Sequence, residues 1–433
     1  MRRFGTLGLL VGFGFTLPFF VTWSGCTLDT SGFGVPSSPE PGAGGSTSST
    51  TGAGGISGAG GTSGVGGAGG QAVGSGGGQP VGSGGAGGGG GGVDAGCIGG
   101  EEICAPWWDT AWTRRRRILV DLANEAALAD FPVLVRLEPK DIDYTATTPG
   151  GGDVRFVSDD GGVILSHEIE GWASGAKSYV WVRLPMVLPA APNGPTVIWM
   201  YYGNPAAVVP AASEATWDSG FRSVHHFNAD TNDSTIAAND GMSPNPPNAG
   251  PGIVAEARDF DGADDHLLLP DEGDYDFTTT VSVSTWILVK SFTKNWQAVV
   301  AKGDDSWRLH RESNTSGPGF GTTNLFGQND NFGAPTSVND GNWHHVAGVY
   351  DGKIKKVFVD GTLVSKDLDS TIKNSSFPVC IGDNKEAMNR HFHGSIDEVR
   401  ISSVVRSDAW MIAEHRTVTF NKTVTFGVDQ PVP

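Results

Sequence analysis

Three aspartates lie within one short predicted turn of this sequence, Asp261-Gly262-Ala263-Asp264-Asp265-His266. Calcium ions in proteins take about six to eight oxygen ligands, which come from carboxylates and from the carbonyl groups of turns. The spacing therefore predicts a Ca²⁺ site that includes Asp264 and Asp265. Acidic turns are also common as solvated surface, and the residue types alone leave both interpretations open.

Histidines occur in close pairs that invite a zinc interpretation. Neighbouring residues of a strand point to opposite faces, so neither His225-His226 nor His344-His345 chelates one ion as a pair. His391 and His393 share a face, which we expect to be turned towards solvent. These pairs therefore predict no zinc site.

Tryptophans are the third group with binding chemistry. Trp107, Trp108 and Trp112 cluster ahead of the first strand, and Trp296 and Trp307 flank a loop. An exposed indole stacks on a sugar ring, whereas a buried one only packs. Packing is the expected role for most of them, so the sequence names no ligand-binding residue.

The N-terminus carries an export signal. Two arginines precede an apolar run, Leu7 to Val21, which is too short to span a bilayer, and Ser24-Gly25 precede Cys26. This arrangement resembles a bacterial lipoprotein signal (residues 1–26), which implies that Cys26 is lipidated. The alternatives are an ordinary cleaved signal and a retained anchor. The prediction is a secreted protein, with Thr27 favouring the outer membrane or cell surface of a Gram-negative-type bacterium.

Composition excludes one class of partner. The formal net charge is −18, from 47 acidic and 29 basic residues, so the surface repels nucleic acid and anionic membranes. Membrane contact is expected through the lipid anchor only.

Residues 27–105 are dominated by glycine, serine and alanine and are predicted to form a disordered linker, because they offer almost no large apolar side chain for a core.

Three further cysteines have different expected roles. Cys97 and Cys104 lie where the linker meets the first folded segment, and in an oxidising compartment we predict a disulfide between them. Cys380 lies in an apolar run and is predicted to be a buried free thiol.

Short β-rich runs separated by turn residues fill the rest of the chain. They predict an all-β protein with two antiparallel β-sandwiches, at residues 106–208 and 216–418, followed by a C-terminal tail at 419–433. Val281 to Ile287 alternates as a half-buried strand does. Arg114 to Arg117 are expected to form a solvated strand edge. One helix is predicted after Ser407, which would cap it.

The first β region carries four runs in a fixed order: Asp153-Val154-Arg155-Phe156, Glu168-Ile169-Glu170-Gly171-Trp172, Val180-Trp181-Val182-Arg183-Leu184-Pro185 and Tyr201-Tyr202-Gly203-Asn204-Pro205. Together they resemble the domain of unknown function 2341, a family without assigned chemistry. Glu168 and Glu170 share a strand face, as a glycosidase pair would. Because they match this family's own signature, we expect a structural or surface role for them.

The second region resembles the laminin-G-like/concanavalin-A-like jelly-roll superfamily. The resemblance is carried by Asp259-Phe260-Asp261-Gly262, Val283-Ser284-Thr285-Trp286, Trp343-His344-His345-Val346-Ala347, Val349-Tyr350-Asp351-Gly352, Val359-Asp360-Gly361 and Gly394-Ser395-Ile396-Asp397-Glu398-Val399-Arg400-Ile401. It implies a concanavalin A-like jelly roll that binds glycans or proteins, often with Ca²⁺. It also implies that Asp397 faces the rim of the acidic turn, which adds Asp397 to Asp264 and Asp265 as a predicted metal ligand.

The leading functional hypothesis is a non-catalytic, lipid-anchored recognition module at the cell surface, which binds a polysaccharide or a cell-surface protein. The glucanases of the superfamily display a Glu-x-Asp-x-(x)-Glu pattern, and the jelly-roll region of this sequence has none. No catalytic residue is therefore predicted. Two alternatives stay open: a glycan-degrading enzyme with other carboxylates, and a structural or adhesive envelope protein.

Overall fold

A computed structural model describes residues 106–210, 213–323, 332–367, 372–420 and 422–433. The predicted signal, the linker and residues Cys26, Cys97 and Cys104 lie outside these ranges. The strands of the first part are β1 Arg114–Val120, β2 Leu128–Leu137, β3 Arg155–Ser158, β4 Ile164–Leu165, β5 His167–Gly171, β6 Ser178–Val187 and β7 Thr196–Tyr202.

The second part contributes most of the strands. They are β8 Phe221–His225, β9 Asn248–Pro251, β10 Glu256–Asp261, β11 Leu267–Leu268, β12 Val281–Val289, β13 Ala298–Ala301, β14 Arg308–Arg311, β15 Pro318–Gly321, β16 Phe332–Gly333, β17 Trp343–Tyr350, β18 Ile354–Val359, β19 Thr362–Asp367, β20 Cys380–Ile381, β21 His393–Ser402 and β22 Val424–Pro431. Helices α1 and α2 span Ala190–Asn193 and Asp408–Thr419, and short 3-10 helices span Pro149–Gly151, Ser213–Thr216 and Glu272–Tyr275.

The residues that the structure describes form four antiparallel sheets, which confirms the all-β prediction. The first part, together with β22 of the second part, forms a five-stranded sheet in the order β22-β1-β7-β3-β4, and it forms a three-stranded sheet in the order β2-β6-β5. The second part forms an eight-stranded sheet in the order β19-β18-β17-β12-β21-β10-β9, with β8 also paired to β21, and a six-stranded sheet in the order β11-β20-β13-β14-β15-β16. The last two sheets enclose one apolar core, as a jelly roll requires.

A second core crosses the predicted domain boundary. Strands β2 and β6 contribute Phe131 and Trp181 to a buried cluster that also contains Trp286 of β12 and Trp410 of α2. The eight-stranded sheet is consequently covered on both faces. The alternation along β12 predicted a strand with one buried face and one exposed face. The second face is buried too, because Trp286 stacks on His415 of α2 with ring centroids 5.6 Å apart.

The ends of the described chain meet in one sheet. Segment 419–433, predicted as a tail, contains β22, which pairs with β1 from Arg114 opposite Pro431 to Val120 opposite Val424. Since β1 also pairs with β7, the Arg114 to Arg117 run is an inner strand and not the solvated edge that we predicted. Arg115 of this run is 2% exposed and donates a hydrogen bond to Gln430 Oε1 at 2.8 Å.

Two smaller predictions agree with the structure. Ser407 caps α2, since its hydroxyl accepts a hydrogen bond from Trp410 N at 3.2 Å. Cys380 is a buried free cysteine, and burial raises the pKa of its thiol. Within the described ranges, the helices are too short or too polar to cross a bilayer.

Candidate functional site

The predicted acidic turn lies between β10 and β11. Asp261, Asp264 and Asp265 each bring a carboxylate oxygen within 4.8 Å of the other two. The turn is organised by its own backbone: Asp265 Oδ2 accepts a hydrogen bond from Asp261 N at 2.9 Å, and Asp261 Oδ1 accepts one from Ala263 N at 2.7 Å. Burial raises the pKa of Asp265. Calcium binding at this turn stays a prediction.

Asp397 does not join that turn. In the pairing of β10 with β21, Asp261 lies opposite His393, so Asp397 lies four residues further along β21. At about 3.3 Å per residue, this separates the two backbone positions by about 13 Å. Asp397 is fully buried, and its Oδ2 accepts hydrogen bonds from Ile253 N at 2.9 Å and Val254 N at 3.1 Å. The predicted set Asp264, Asp265 and Asp397 therefore does not form one site.

A different group of charged side chains is buried where the first β region meets the jelly roll. We call it the junction cluster. Strand β5 supplies two carboxylates, the residue after β8 supplies an imidazole, and β21 supplies two carboxylates and a guanidinium. Its members are Glu168, Glu170, His226, Asp397, Glu398 and Arg400.

Glu168 and Glu170 share a face of β5, as predicted, and that face points into the junction. Trp217 Nε1 donates to Glu168 Oε2 at 2.6 Å, and Ser234 Oγ donates to Glu168 Oε1 at 2.7 Å. Trp181 Nε1 donates to Glu170 Oε2 at 2.8 Å. The Glu170 side chain is only 1% exposed, so it is not a surface residue.

His226 links the two halves of the junction cluster. Its Nδ1 atom lies 2.7 Å from Glu398 Oε1 and 3.6 Å from Glu170 Oε2, and its Nε2 atom lies 3.5 Å from Glu168 Oε2. The imidazole also stacks on Trp181, with ring centroids 5.8 Å apart. One imidazole therefore touches three carboxylates from two strands.

A β-bulge aims Glu398 into the junction. The register of β12 against β21 shifts between Ser284 and Trp286, which leaves one extra residue on β21. Glu398 has a φ of 52°, in the left-handed region that non-glycine residues seldom adopt. Bulges re-aim side chains in this way, and here both Asp397 and Glu398 end up buried.

Arg400 supplies the cluster's permanent positive charge. Its Nη2 atom donates to Glu398 Oε2 at 2.7 Å, and its Nη1 atom donates to Glu414 Oε1 of α2 at 3.4 Å. The guanidinium lies 4.4 Å from the ring centre of Trp181 and 5.1 Å from that of Trp217. It is 4% exposed, so these contacts replace its hydration.

The carboxylates of the junction cluster differ in the direction of their pKa shifts. Burial and repulsion from Glu398 raise the pKa of Glu170 to about 8, and the same two causes raise the pKa of Asp397 well above its usual range. Burial opposes the charged form of His226, but attraction to Glu398, Glu168 and Glu170 raises its pKa. Burial also opposes ionisation of Glu398, yet His226 and Arg400 hold its pKa below the usual range.

A second candidate site lies on the outer face of the six-stranded sheet. Arg308 and His310 of β14 alternate with Leu309, which points into the jelly-roll core, so they face outwards under the loops before and after β13 and the loop after β20. These loops and β13 complete a cleft of about 270 Å³, which we call the Trp296 cleft; its lining is Trp296, Ala298, Asp304, Arg308, His310, Asn384 and Arg390.

Trp296 is held at this cleft by its backbone and its ring. It has a φ of 60°, its N–H donates to Ser313 O at 3.0 Å, and its indole lies 5.5 Å from the His310 ring. Opposite, Asn384 Nδ2 donates to Asp304 Oδ1 at 2.7 Å, and Arg390 lies 3.5 Å from Asp304 Oδ2. By contrast Trp307 is fully buried and donates to Tyr275 O at 3.1 Å, so it only packs.

The fold thus defines a β-sandwich protein whose second part is a concanavalin A-like jelly roll. Residues 261–411 match the family described as the concanavalin A-like lectin/glucanases superfamily, and residues 150–239 match the domain of unknown function 2341. Both resemblances are confirmed in the predicted order. The second match extends past β8, so Glu168, Glu170 and His226 belong to one family segment and Glu398 to the other. A search of curated proteins found no match.

Solved structures share parts of the fold at low identity. The binding domain of Paraclostridial Mosquitocidal Protein 1 is 13% identical, with a TM-score of 0.39 over 45% of this chain and 52% of that one. Domain 4 of AbnA, an extracellular arabinanase from Geobacillus stearothermophilus, in complex with arabinotriose, is 19% identical, with a TM-score of 0.38 over 44% of this chain and 96% of that one. The binding domain of Botulinum Neurotoxin DC in complex with SialylT is 12% identical, with a TM-score of 0.37 over 47% of this chain and 52% of that one. The chain thus spans about half the length of the two toxin structures.

Proposed function

We propose that this protein is a non-catalytic recognition module that binds a glycan through the Trp296 cleft. The observation that carries the proposal is a partly exposed indole beside convergent polar groups: Asp304, Asn384 and Arg390. An aromatic face packs on the apolar face of a sugar, and carboxylate, amide and guanidinium groups hydrogen-bond its hydroxyls. The cleft, at about 270 Å³, is slightly smaller than the range of about 300–1,000 Å³ that is typical of ligand pockets.

The carboxylate pair on β5 supports a binding role over hydrolysis. Hydrolysis needs one carboxyl group that donates a proton and a second that attacks or activates water. Both oxygens of Glu168 accept hydrogen bonds, from Trp217 and Ser234, and Glu170 Oε2 accepts one from Trp181. A glycan-degrading enzyme with other carboxylates and a structural or adhesive envelope protein remain the alternatives.

Replacing Trp296 by alanine should weaken glycan binding at least tenfold. Burying an aromatic side chain against a ligand contributes about 1.5–3 kcal/mol, and each 1.4 kcal/mol is about a tenfold change in Kd. The measurement is a glycan-array screen and polysaccharide pull-down with the wild-type chain, followed by titration of the best ligand. Phe420→Ala, which removes an exposed aromatic ring elsewhere, is the matched control.

The outcome of that screen separates the three functions. Equal binding by wild type and Trp296→Ala would remove the cleft from the proposal. Release of reducing ends that one Asp or Glu substitution abolishes would favour the enzyme. Binding of neither glycan nor a surface protein would favour the structural role.

We also propose that the module is held at the cell surface by a lipid on Cys26, with the linker as its stalk. Support comes from the short apolar run and from the two small residues that precede Cys26. Metabolic labelling with a palmitate analogue should mark the wild-type chain, and the label should disappear in Cys26→Ser. Labelling that survives this substitution contradicts the anchor.

A further inference from the structure

Three members of the junction cluster are spaced as ligands of one ion. Glu170, His226 and Glu398 each offer an atom within 4.8 Å of the other two. The Nδ1 atom of His226 lies 2.7 Å from Glu398 Oε1 and 3.6 Å from Glu170 Oε2. Ligand atoms around a tetrahedral ion with bonds of about 2.1 Å are about 3.4 Å apart. Only small side-chain shifts separate the observed spacing from a coordination sphere.

The same cluster contains buried polar atoms that lack partners. Among the described residues, Glu170 Oε1 and His226 Nε2 are buried and form no hydrogen bond. The side chains of Glu170 and His226 are 1% and 7% exposed. Buried polar groups are normally satisfied, because an unpaired one costs free energy. His226 Nε2 lies 3.5 Å from Glu168 Oε2, on the side of the ring away from Glu398. An ion bound between His226 Nδ1 and the carboxylates would give Glu170 Oε1 the partner that the protein does not supply.

A cleft of about 550 Å³ leads to the cluster from solvent. Glu168, Glu170 and His226 lie in its lining, which also includes Glu214 and Asp230. Carboxylates along the walls of a cleft raise the local concentration of cations. The cluster is therefore buried and reachable from outside.

We propose that Glu170, His226 and Glu398 bind a divalent transition-metal ion of the Zn²⁺ type. An imidazole with two carboxylates suits Zn²⁺ and its neighbours, whereas Ca²⁺ takes oxygen ligands alone. The site is therefore chemically distinct from the acidic turn. Histidine pairing in the sequence gave no hint of it, because the partners of His226 are carboxylates from two other strands.

The surrounding groups fit a bound cation. Ligating carboxylates and imidazoles are usually held by further hydrogen bonds. Trp181 Nε1 holds Glu170 Oε2, and Arg400 Nη2 holds Glu398 Oε2.

The ion would join the two family segments. Glu170 and His226 lie in the segment that matches the domain of unknown function 2341, and Glu398 lies in the concanavalin A-like segment. Binding would therefore fix β5 to β21 across the junction. The proposal is independent of the Trp296 cleft, since the two sites share no residue.

The test uses the full chain, stripped with EDTA, dialysed against ZnCl₂ and passed through a desalting column. Elemental analysis should find about one Zn²⁺ per chain, and excess CaCl₂ should not displace it. Glu170→Gln keeps the shape of the side chain and should weaken Zn²⁺ binding at least tenfold in a calorimetric titration. Asp264→Asn, which alters the acidic turn instead, should bind Zn²⁺ as the wild type does.

X-ray absorption at the zinc edge of the wild-type protein gives a readout that needs no variant. It should show one imidazole nitrogen with oxygen neighbours. Sulfur neighbours would assign the zinc to cysteines, and more than one imidazole would assign it to another histidine set; either result overturns the proposal. So does a wild-type chain that retains no zinc, or a folded Glu170→Gln that binds it with wild-type affinity.

Discussion

Replacing Arg400 by methionine should lower the free energy of unfolding by about 3–5 kcal/mol. Methionine keeps much of the apolar volume but removes the charge that faces Glu398 at 2.7 Å and Glu414 at 3.4 Å. Breaking a buried ion pair from one side is costly, because it leaves the other charge buried with less compensation. Glu398 keeps its contact with His226 but loses the guanidinium. The substitution also removes the guanidinium from the faces of Trp181 and Trp217. Urea unfolding at pH 7 in EDTA measures the change.

Two further variants show whether charge is the cause. Arg400→Met combined with Glu414→Gln should recover about 1–3 kcal/mol, because one of the two stranded carboxylates is then neutral. Arg114→Met breaks an ion pair with Asp429 in which the arginine side chain is 37% exposed, and should cost less than about 1 kcal/mol. A loss below about 1 kcal/mol for Arg400→Met alone would contradict the role given to this residue.

Gly394→Ala should destabilise the fold by about 3–4 kcal/mol through the backbone alone. Gly394 begins the pairing of β21 with β12 at a φ of 151°, a conformation that L-residues rarely adopt. A Cβ atom there would lie 2.1 Å from the carbonyl oxygen of Leu288, which belongs to a central strand and cannot move aside. Backbone strain and overpacking each cost about 1–3 kcal/mol.

Gly273→Ala is the matched control for this prediction. It also adds one methyl group to a glycine of the jelly-roll part, but no atom lies within 4 Å of the added Cβ and its φ is not positive. Its effect should stay within about 1 kcal/mol, and a slight stabilisation is the expected sign. Equal urea midpoints for Gly394→Ala and wild type would show that the strand can shift to admit the methyl group.

The strands were predictable because their signals are local. Alternation predicted β12, and an Asp-Gly turn follows β17 while another follows β18. Ser407 likewise marked the start of α2. Each of these features depends on residues close together in the sequence. The sheet order and the second covered face of β12 depend on α2 and on the first β region, which no local pattern connects to that strand.

The junction cluster was not predictable for the same reason. Glu170, His226 and Glu398 come from three separate strand regions, and β5 is joined to no strand of the jelly roll by backbone pairing. Asp397 was assigned to the acidic turn, although the register of β21 carries it about 13 Å away. One signal was present: the family signatures include Glu168, Glu170 and Glu398, which are carboxylates on predicted strands.

The pairing of β1 with β22 has a consequence for biosynthesis. Arg115 and Gln430 are hydrogen-bonded across 315 residues of sequence, so β1 cannot acquire this neighbour until Gln430 has been made. Such non-local pairing slows folding, and in the interval β1 offers an open backbone edge to other nascent chains. Four consecutive arginines occupy that edge. The arginines of one chain would repel those of another and so keep newly made chains apart. Once β22 pairs with β1, β1 becomes an inner strand and its edge is no longer exposed.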